Sequence, residues 1–241
     1  KEGYYLAFSG GKDSVVIYDL AVKAGVKFDA HYCVSPIDPP IIHQFIKEHY
    51  PNVQWDYHAR GFWKIVRGKG LPMWRSRWCC EIIKEAGGNG RIVVVGNRRA
   101  EGSIRKGQKC YEKHHKEDKW FIRPVIDFGD DEIWHYIREC SLPYVSLYDE
   151  GAKQNGYGEG KFNRIGCVLC PFSRIVKLEE TYFPKLAALW LRACNQIVAD
   201  RLSRGNMTKR GLPYKHQFLT GKEMYDWWTA GRLGKGDERN A

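Results

Sequence analysis

Apolar positions along the chain follow two spacings. Short runs rich in β-branched and aromatic residues recur at residues 4–8, 27–34, 53–58, 91–96 and 120–126, and predict strands. Between them the spacing changes to that of helices. Val15, Val16, Leu20 and Ala21 form one stripe, and Ile133, Trp134 and Ile137 form another within residues 130–140. Further helices are predicted from Pro40 to about Tyr50, over residues 61–66 and over residues 73–86, with Pro40 suited to a first helical turn. Toward the C-terminus, Leu186, Leu189, Trp190, Ala193, Ile197 and Val198 mark a long helix over residues 184–202. Cys194 lies on that stripe and reads as core. A short helix is predicted around residues 223–228.

Strands alternating with helices predict an α/β fold, an open and mostly parallel sheet with helices on both faces. In such sheets ligands bind beyond the carboxyl ends of the strands. Two polar stretches, residues 97–119 and 151–164, predict long loops. No repeat and no clear linker interrupts the chain. The expected organisation is a nucleotide-binding domain over residues 1–176, with a helical C-terminal extension over residues 177–241 packed on it.

The first strand runs into Ser9-Gly10-Gly11-Lys12-Asp13-Ser14 and then into a helix. Glycines there let the backbone approach a phosphate, the helix N-terminus offers free N–H groups, and Lys12 adds a full charge. A Walker A loop is excluded, because Leu6 stands where its first glycine belongs and Asp13 follows the lysine. The hexapeptide instead resembles the PP-loop of the ATP pyrophosphatases, Ser-Gly-Gly-x-Asp-Ser.

The formal charge is +11, from 39 Lys and Arg against 28 Asp and Glu, and favours anionic partners such as nucleotides or nucleic acid. No apolar stretch reaches the length of a membrane span, so no membrane partner is expected. No secretory signal precedes the first strand, which reads as a cytoplasmic protein. In that compartment the eight cysteines are reduced, and grouped cysteines point to metal or redox chemistry. Cys79 and Cys80 are adjacent, and Cys167 and Cys170 form a C-x-x-C far downstream. On spacing alone, an iron–sulfur cluster, a structural zinc ion and a redox-active Cys167–Cys170 pair all stay open.

Cys-Cys followed at a distance by Cys-x-x-Cys resembles the cluster-binding pattern of the phosphoadenosine phosphosulfate reductase family. The likeness is to its iron–sulfur branch, with adenylyl-sulfate reductases and the ATP pyrophosphatases of DNA phosphorothioation systems. Gly96-Asn97-Arg98-Arg99-Ala100-Glu101 is similar to the family's Gly-x-Arg-x-x-Glu-Ser, with Gly102 in place of the serine. Arg123-Pro124-Val125-Ile126-Asp127 and Asp130-Asp131-Glu132-Ile133-Trp134 resemble its Pro-x-x-Asp-Trp and Asp-Glu-x-Val-Trp segments, with Phe128 in place of the first Trp. Leu142-Pro143-Tyr144, Leu147-Tyr148-Asp149-Glu150-Gly151 and Ile165-Gly166-Cys167 also match in order.

The resemblance implies an adenine nucleotide alpha-hydrolase-like fold and a [4Fe–4S] cluster on Cys79, Cys80, Cys167 and Cys170. It implies nucleotide binding by Ser9, Gly10, Gly11, Lys12, Asp13, Ser14, Gly96 and Arg98. Lys12, Asp13 and Arg98 are the candidate catalytic residues, and Asp13 is a candidate either to cap the helix N-terminus or to hold Mg²⁺ through water. Arg99, Glu101 and Arg105 are candidates for acceptor or phosphate contacts. The family's reductases also carry a Glu-Cys-Gly-Leu-His segment whose cysteine attacks sulfur, whereas the last cysteine here is Cys194. The leading expectation is therefore an adenylylating ATP pyrophosphatase that prepares an acceptor, such as DNA or RNA, for sulfur transfer. A cysteine desulfurase or thiol would be the sulfur donor. The alternatives are adenylyl-sulfate or phosphoadenylyl-sulfate reduction with that cysteine supplied otherwise, and a non-catalytic nucleic-acid-binding module. Trp227 and Trp228 are read either as base-stacking groups or as packing for the last helix, and an oligomer is compatible with the sequence.

Overall fold

The structure, a computed structural model, describes residues 2–73, 76–114, 117–150, 161–208 and 210–233. Six strands form one sheet in the order β3-β2-β1-β4-β6-β5. They are β1 (Tyr4–Ala7), β2 (Phe28–Cys33), β3 (Gln54–Asp56), β4 (Ile92–Val94), β5 (Tyr111–Lys113) and β6 (Trp120–Ile122). All neighbours run parallel except β5, which pairs antiparallel with β6. The mostly parallel α/β sheet is therefore as predicted.

The chain groups into two compact units. One comprises residues up to His58 together with Ile83–Gly166, and the other Ala59–Ile82 together with the residues from Cys167 onward. This grouping differs from a single cut after residue 176, because both cysteine segments fall with the C-terminal helices.

In the sheet unit, α1 (Lys12–Lys23) follows β1 directly, and α2 (Pro40–His49) joins β2 to β3. Leu6, Val15, Val16, Ile17, Tyr32, Ile42 and Ile46 are buried and form its core. Parallel strands sandwiched by helices need such near-continuous apolar burial. Residues 97–114 are more ordered than the predicted loop. Two short 3₁₀ turns, Arg99–Glu101 and Ser103–Arg105, precede β5. The polar alternation of Tyr111-Glu112-Lys113 hid this strand. It forms because Tyr111 stacks on Trp120 at 4.7 Å and Glu112 pairs with the buried Arg123 at 3.0 Å. Residues 151–160 of the second predicted loop lie outside the described residues. Helix α5 (Asp130–Glu139) starts where predicted, with Ile133, Trp134 and Ile137 buried.

The second unit is helical. It contains α3 (Phe62–Lys69), α6 (Val176–Tyr182), α7 (Pro184–Leu202) and α8 (Gly221–Leu233). The short α4 (Trp78–Ile83) carries Cys79 and Cys80. Aromatic packing dominates this core: Trp190 is fully buried and meets Trp228 at 4.7 Å, Trp63 at 5.0 Å and Phe62 at 5.9 Å. Trp228 donates its indole N–H to the Pro72 carbonyl at 2.9 Å. Trp228 is thus a core residue and has no face to offer a base, while Trp227 packs on His216 and Phe218. Cys194 is fully buried, as its place in the α7 stripe predicts. No helix among the described residues is long and apolar enough to cross a membrane.

Candidate functional site

The hexapeptide forms the turn from β1 into α1. Gly10 has φ +73°, and a Cβ there would stand 2.9 Å from Ile42 Cγ2, so only glycine fits without strain. Gly11 is the N-cap of α1, and no side chain caps it. Ser14 Oγ donates to the Gly11 carbonyl at 2.8 Å, and the Gly11 N–H donates to Ser9 Oγ at 3.4 Å. The Lys12 N–H donates to the Tyr148 hydroxyl at 3.2 Å. The next helical N–H groups, of Asp13 and Ser14, belong to an uncapped first turn and are placed to receive an anion. Tyr148 is buried against this turn, and that burial pushes its phenol pKa upward.

Lys12 is 4% exposed. Its ammonium donates to the Asn163 carbonyl at 3.1 Å and pairs with Asp130 at 3.2 Å. Arg98, 2% exposed, divides its guanidinium among three acceptors: Asp13 Oδ1 at 2.6 Å, Asp130 Oδ1 at 2.7 Å and the Phe128 carbonyl at 3.1 Å. Arg98 therefore links the loop after β4 to the starts of α1 and α5. Lys12 and Arg98 together outweigh burial and hold the Asp130 carboxyl below the usual carboxylate range. Gly96 lies against the first turn of α1; a Cβ there would come within 3.1 Å of the Asp13 backbone.

Beyond Arg98, Glu101 accepts the Arg98 N–H at 3.0 Å and pairs with Arg105. Burial, reinforced by the nearby cations Arg164, Arg98 and Arg123, pushes the Arg105 pKa down to about 10, against the pull of Asp13. Arg99 stands apart. It pairs with Asp127 and donates to the Gln108 carbonyl at 3.0 and 3.2 Å, so it braces the following segment. The structure thus gathers Ser9 to Ser14, Gly96, Arg98, Glu101 and Arg105 around one turn. Asp130, Tyr148, Asn163 and Arg164 join them. Sequence reasoning quoted the segments of Asp130 and Tyr148 without assigning either residue to the site.

In the helical unit, the Cys79 thiol is hydrogen-bonded to Cys80 and lies in the field of Cys167 and Cys170. The Cys80 contact and burial together push its pKa upward. The C-x-x-C forms a tight turn, with the Cys170 N–H on the Cys167 carbonyl at 3.2 Å and Leu169 at φ +55°. The Leu169 N–H is held by Glu179 at 2.9 Å. Among the described residues, no three of these four sulfurs lie within 4.8 Å of one another. The four thiols fall in one unit, with Cys79 and Cys80 in hydrogen-bond contact.

A sequence profile of the phosphoadenosine phosphosulfate reductase domain matches residues 3–173. An uncharacterized protein of Methanocaldococcus jannaschii is 26% identical over 238 residues, covering 90% of this chain and 47% of that protein. An adenosine 5'-phosphosulfate reductase of Bacillus anthracis is 30% identical over 108 residues, covering 42% of this chain and 43% of the other. Among solved structures, the phosphate complex of a phosphoadenylyl-sulfate reductase from Candida auris has a TM-score of 0.48 at 18% identity, covering 68% of this chain and 83% of the other. The chain spans about half the length of the first curated relatives it matches, 47% and 53%.

Proposed function

The chain belongs to the phosphoadenosine phosphosulfate reductase family, and we propose that it is a PP-loop enzyme that transfers the adenylyl group of ATP to an acceptor and releases pyrophosphate. The observation that carries this reading is the uncapped start of α1, closed in by the buried Lys12 and backed by Arg105 and Arg164. The N–H groups of Asp13 and Ser14 would hold phosphate oxygens. Asp13 and Asp130 are hard oxygen donors suited to the Mg²⁺ that accompanies nucleotide phosphates.

In the reaction a nucleophilic oxygen or sulfur of the acceptor bonds to the α-phosphorus. The bridging bond between the α and β phosphates breaks, and its electron pair leaves with pyrophosphate. Lys12, Arg105 and Arg164 would oppose the charge that grows on that leaving group, the largest service a protein gives this chemistry. Arg98 acts as a positioning residue, because its guanidinium is spent on Asp13 and Asp130. Cys79, Cys80, Cys167 and Cys170 would hold a [4Fe–4S] cluster, which when bound supplies a centre able to handle electrons or sulfur. The net charge of +11 supports a polyanionic acceptor such as nucleic acid.

A second reading, reduction of a sulfonucleotide, is favoured by the 108-residue match to an adenosine 5'-phosphosulfate reductase. One experiment separates the two. Anaerobically purified protein is incubated with Mg²⁺-ATP, with and without DNA or RNA, and in parallel with adenylyl sulfate and a dithiol. Pyrophosphate release that is lost in Lys12→Ala supports adenylyl transfer. Sulfite from adenylyl sulfate without pyrophosphate from ATP establishes the second reading instead.

A further inference from the structure

Away from the PP-loop turn, the sheet unit carries a second group of chemically versatile side chains. β2 ends at Cys33 and β3 ends at Asp56, and the parallel register sets these two residues side by side. The chain then turns and brings His58 back, with Nε2 3.7 Å from Asp56 Oδ2. The Cys33 sulfur, an Asp56 carboxylate oxygen and a His58 ring nitrogen all lie within 4.8 Å of one another.

We propose that Cys33, Asp56 and His58 bind one divalent transition-metal ion of the zinc type. A thiolate, an imidazole and a carboxylate are the three donor types that zinc takes, and three protein ligands leave a tetrahedral ion one position for water. Bonds of about 2.0–2.3 Å put such ligands roughly 3.3–3.8 Å apart, so inward movements of about 1 Å complete the site. On binding, the Cys33 thiol gives its proton to solvent and becomes the thiolate ligand. Two anionic ligands and a neutral imidazole then balance the charge of the ion.

The surroundings are those of a ligand set held in place. Tyr5 donates its hydroxyl to Asp56 Oδ2 at 3.0 Å, and His31 Nδ1 meets the same oxygen at 3.0 Å. His31 Nε2 in turn contacts Asp29, which Arg91 holds with a two-pronged contact. Outer partners of this kind orient metal ligands and are felt in affinity when lost. The Tyr5 hydroxyl also lies 3.7 Å from the Cys33 sulfur. Cys33 and Asp56 are half-buried, whereas His58 is exposed at the rim and offers the route of access.

The test is a zinc titration of the full chain, stripped by chelation, in competition with a chromophoric chelator. Cys79, Cys80, Cys167 and Cys170 would also take metal, so the readout is the difference between the wild type and variants of the new site. The wild type is expected to bind one equivalent more than Cys33→Ser or His58→Ala. Any residual binding at the altered site should be weaker by at least the roughly 10–100-fold that even an outer partner commands. Cobalt(II) is expected to give the wild type a thiolate charge-transfer band whose intensity falls in Cys33→Ser. Equal zinc stoichiometry in all three proteins, or an unchanged cobalt spectrum in Cys33→Ser, overturns the proposal. His58 lies at the rim, so His58→Ala keeps the fold and the comparison stays decisive.

Discussion

Replacing Arg98 tests whether the site is held together by this one guanidinium. In Arg98→Met, Asp13 and Asp130 lose their shared cation and the Phe128 carbonyl loses a donor. Asp130 has a side chain 68% exposed and rehydrates, so its share is at most about 1 kcal/mol. Asp13 has a side chain only 23% exposed and keeps much of the penalty of an unpaired charge. Breaking an enclosed pair by removing one partner costs about 3–5 kcal/mol. That range is the expectation here, a large part of the 5–15 kcal/mol typical of a whole fold. The measurement is urea unfolding followed by circular dichroism. Arg98→Lys should recover less than half of the loss, because an ammonium cannot serve three acceptors set around a planar fork. Arg98→Met combined with Asp13→Asn should be less damaging than the two single losses added together, since the neutral amide removes the stranded charge. A loss below about 1 kcal/mol in Arg98→Met, or a fully stable Arg98→Lys, would refute the reasoning.

Three further outcomes follow from the same geometry. In Gly96→Ala the new methyl presses on the Asp13 backbone, so ATP affinity by calorimetry should fall about 10-fold, or about 1.4 kcal/mol. Arg105 pairs with Glu101, whose side chain is only 15% exposed, so Arg105→Gln should weaken ATP binding and lower the thermal midpoint; an unchanged ATP affinity would contradict the assigned role. Asp29 has its pKa held down to about 2, chiefly by Arg91 with help from His31 and against burial. An unfolded carboxyl titrates near 4, so this stabilisation, on the order of 1 kcal/mol, is present above about pH 4 and is lost as pH falls toward 2. Asp29→Asn should flatten that acid limb in unfolding measured from pH 5 to pH 2.

The parallel sheet and the long helices were legible because their signals are local. The run through Tyr4 to Ala7 and the stripe of α7 state their partners in their own spacing. β5 was not legible, since its pairing depends on Trp120 and Arg123 rather than on its own hydrophobicity. The PP-loop turn was readable from six adjacent residues. Asp130, Tyr148 and Arg164 were harder, because their roles arise from the closing of distant segments on α1. The sequence showed Arg98 as a positive charge at the site, but not that two carboxylates already occupy it. The Cys33, Asp56 and His58 group was invisible for the same reason: no spacing in the chain hints that β2 and β3 end in register.

The way the turn is held before any ligand arrives bears on how a nucleotide would enter it. Lys12, Arg98, Arg105 and Arg164 are accompanied by Asp13, Asp130 and Glu101, so four cations stand with three anions. Binding of a Mg²⁺-nucleotide is then an exchange of partners, with the metal taking carboxylates as the phosphates take their cations. Little net charge is neutralised in such an exchange. The affinity should therefore respond to ionic strength far less steeply than four unpaired cations would dictate. The resident carboxylates also act as a filter: a bare phosphate chain meets their repulsion, and only one that brings its own metal finds every charge answered.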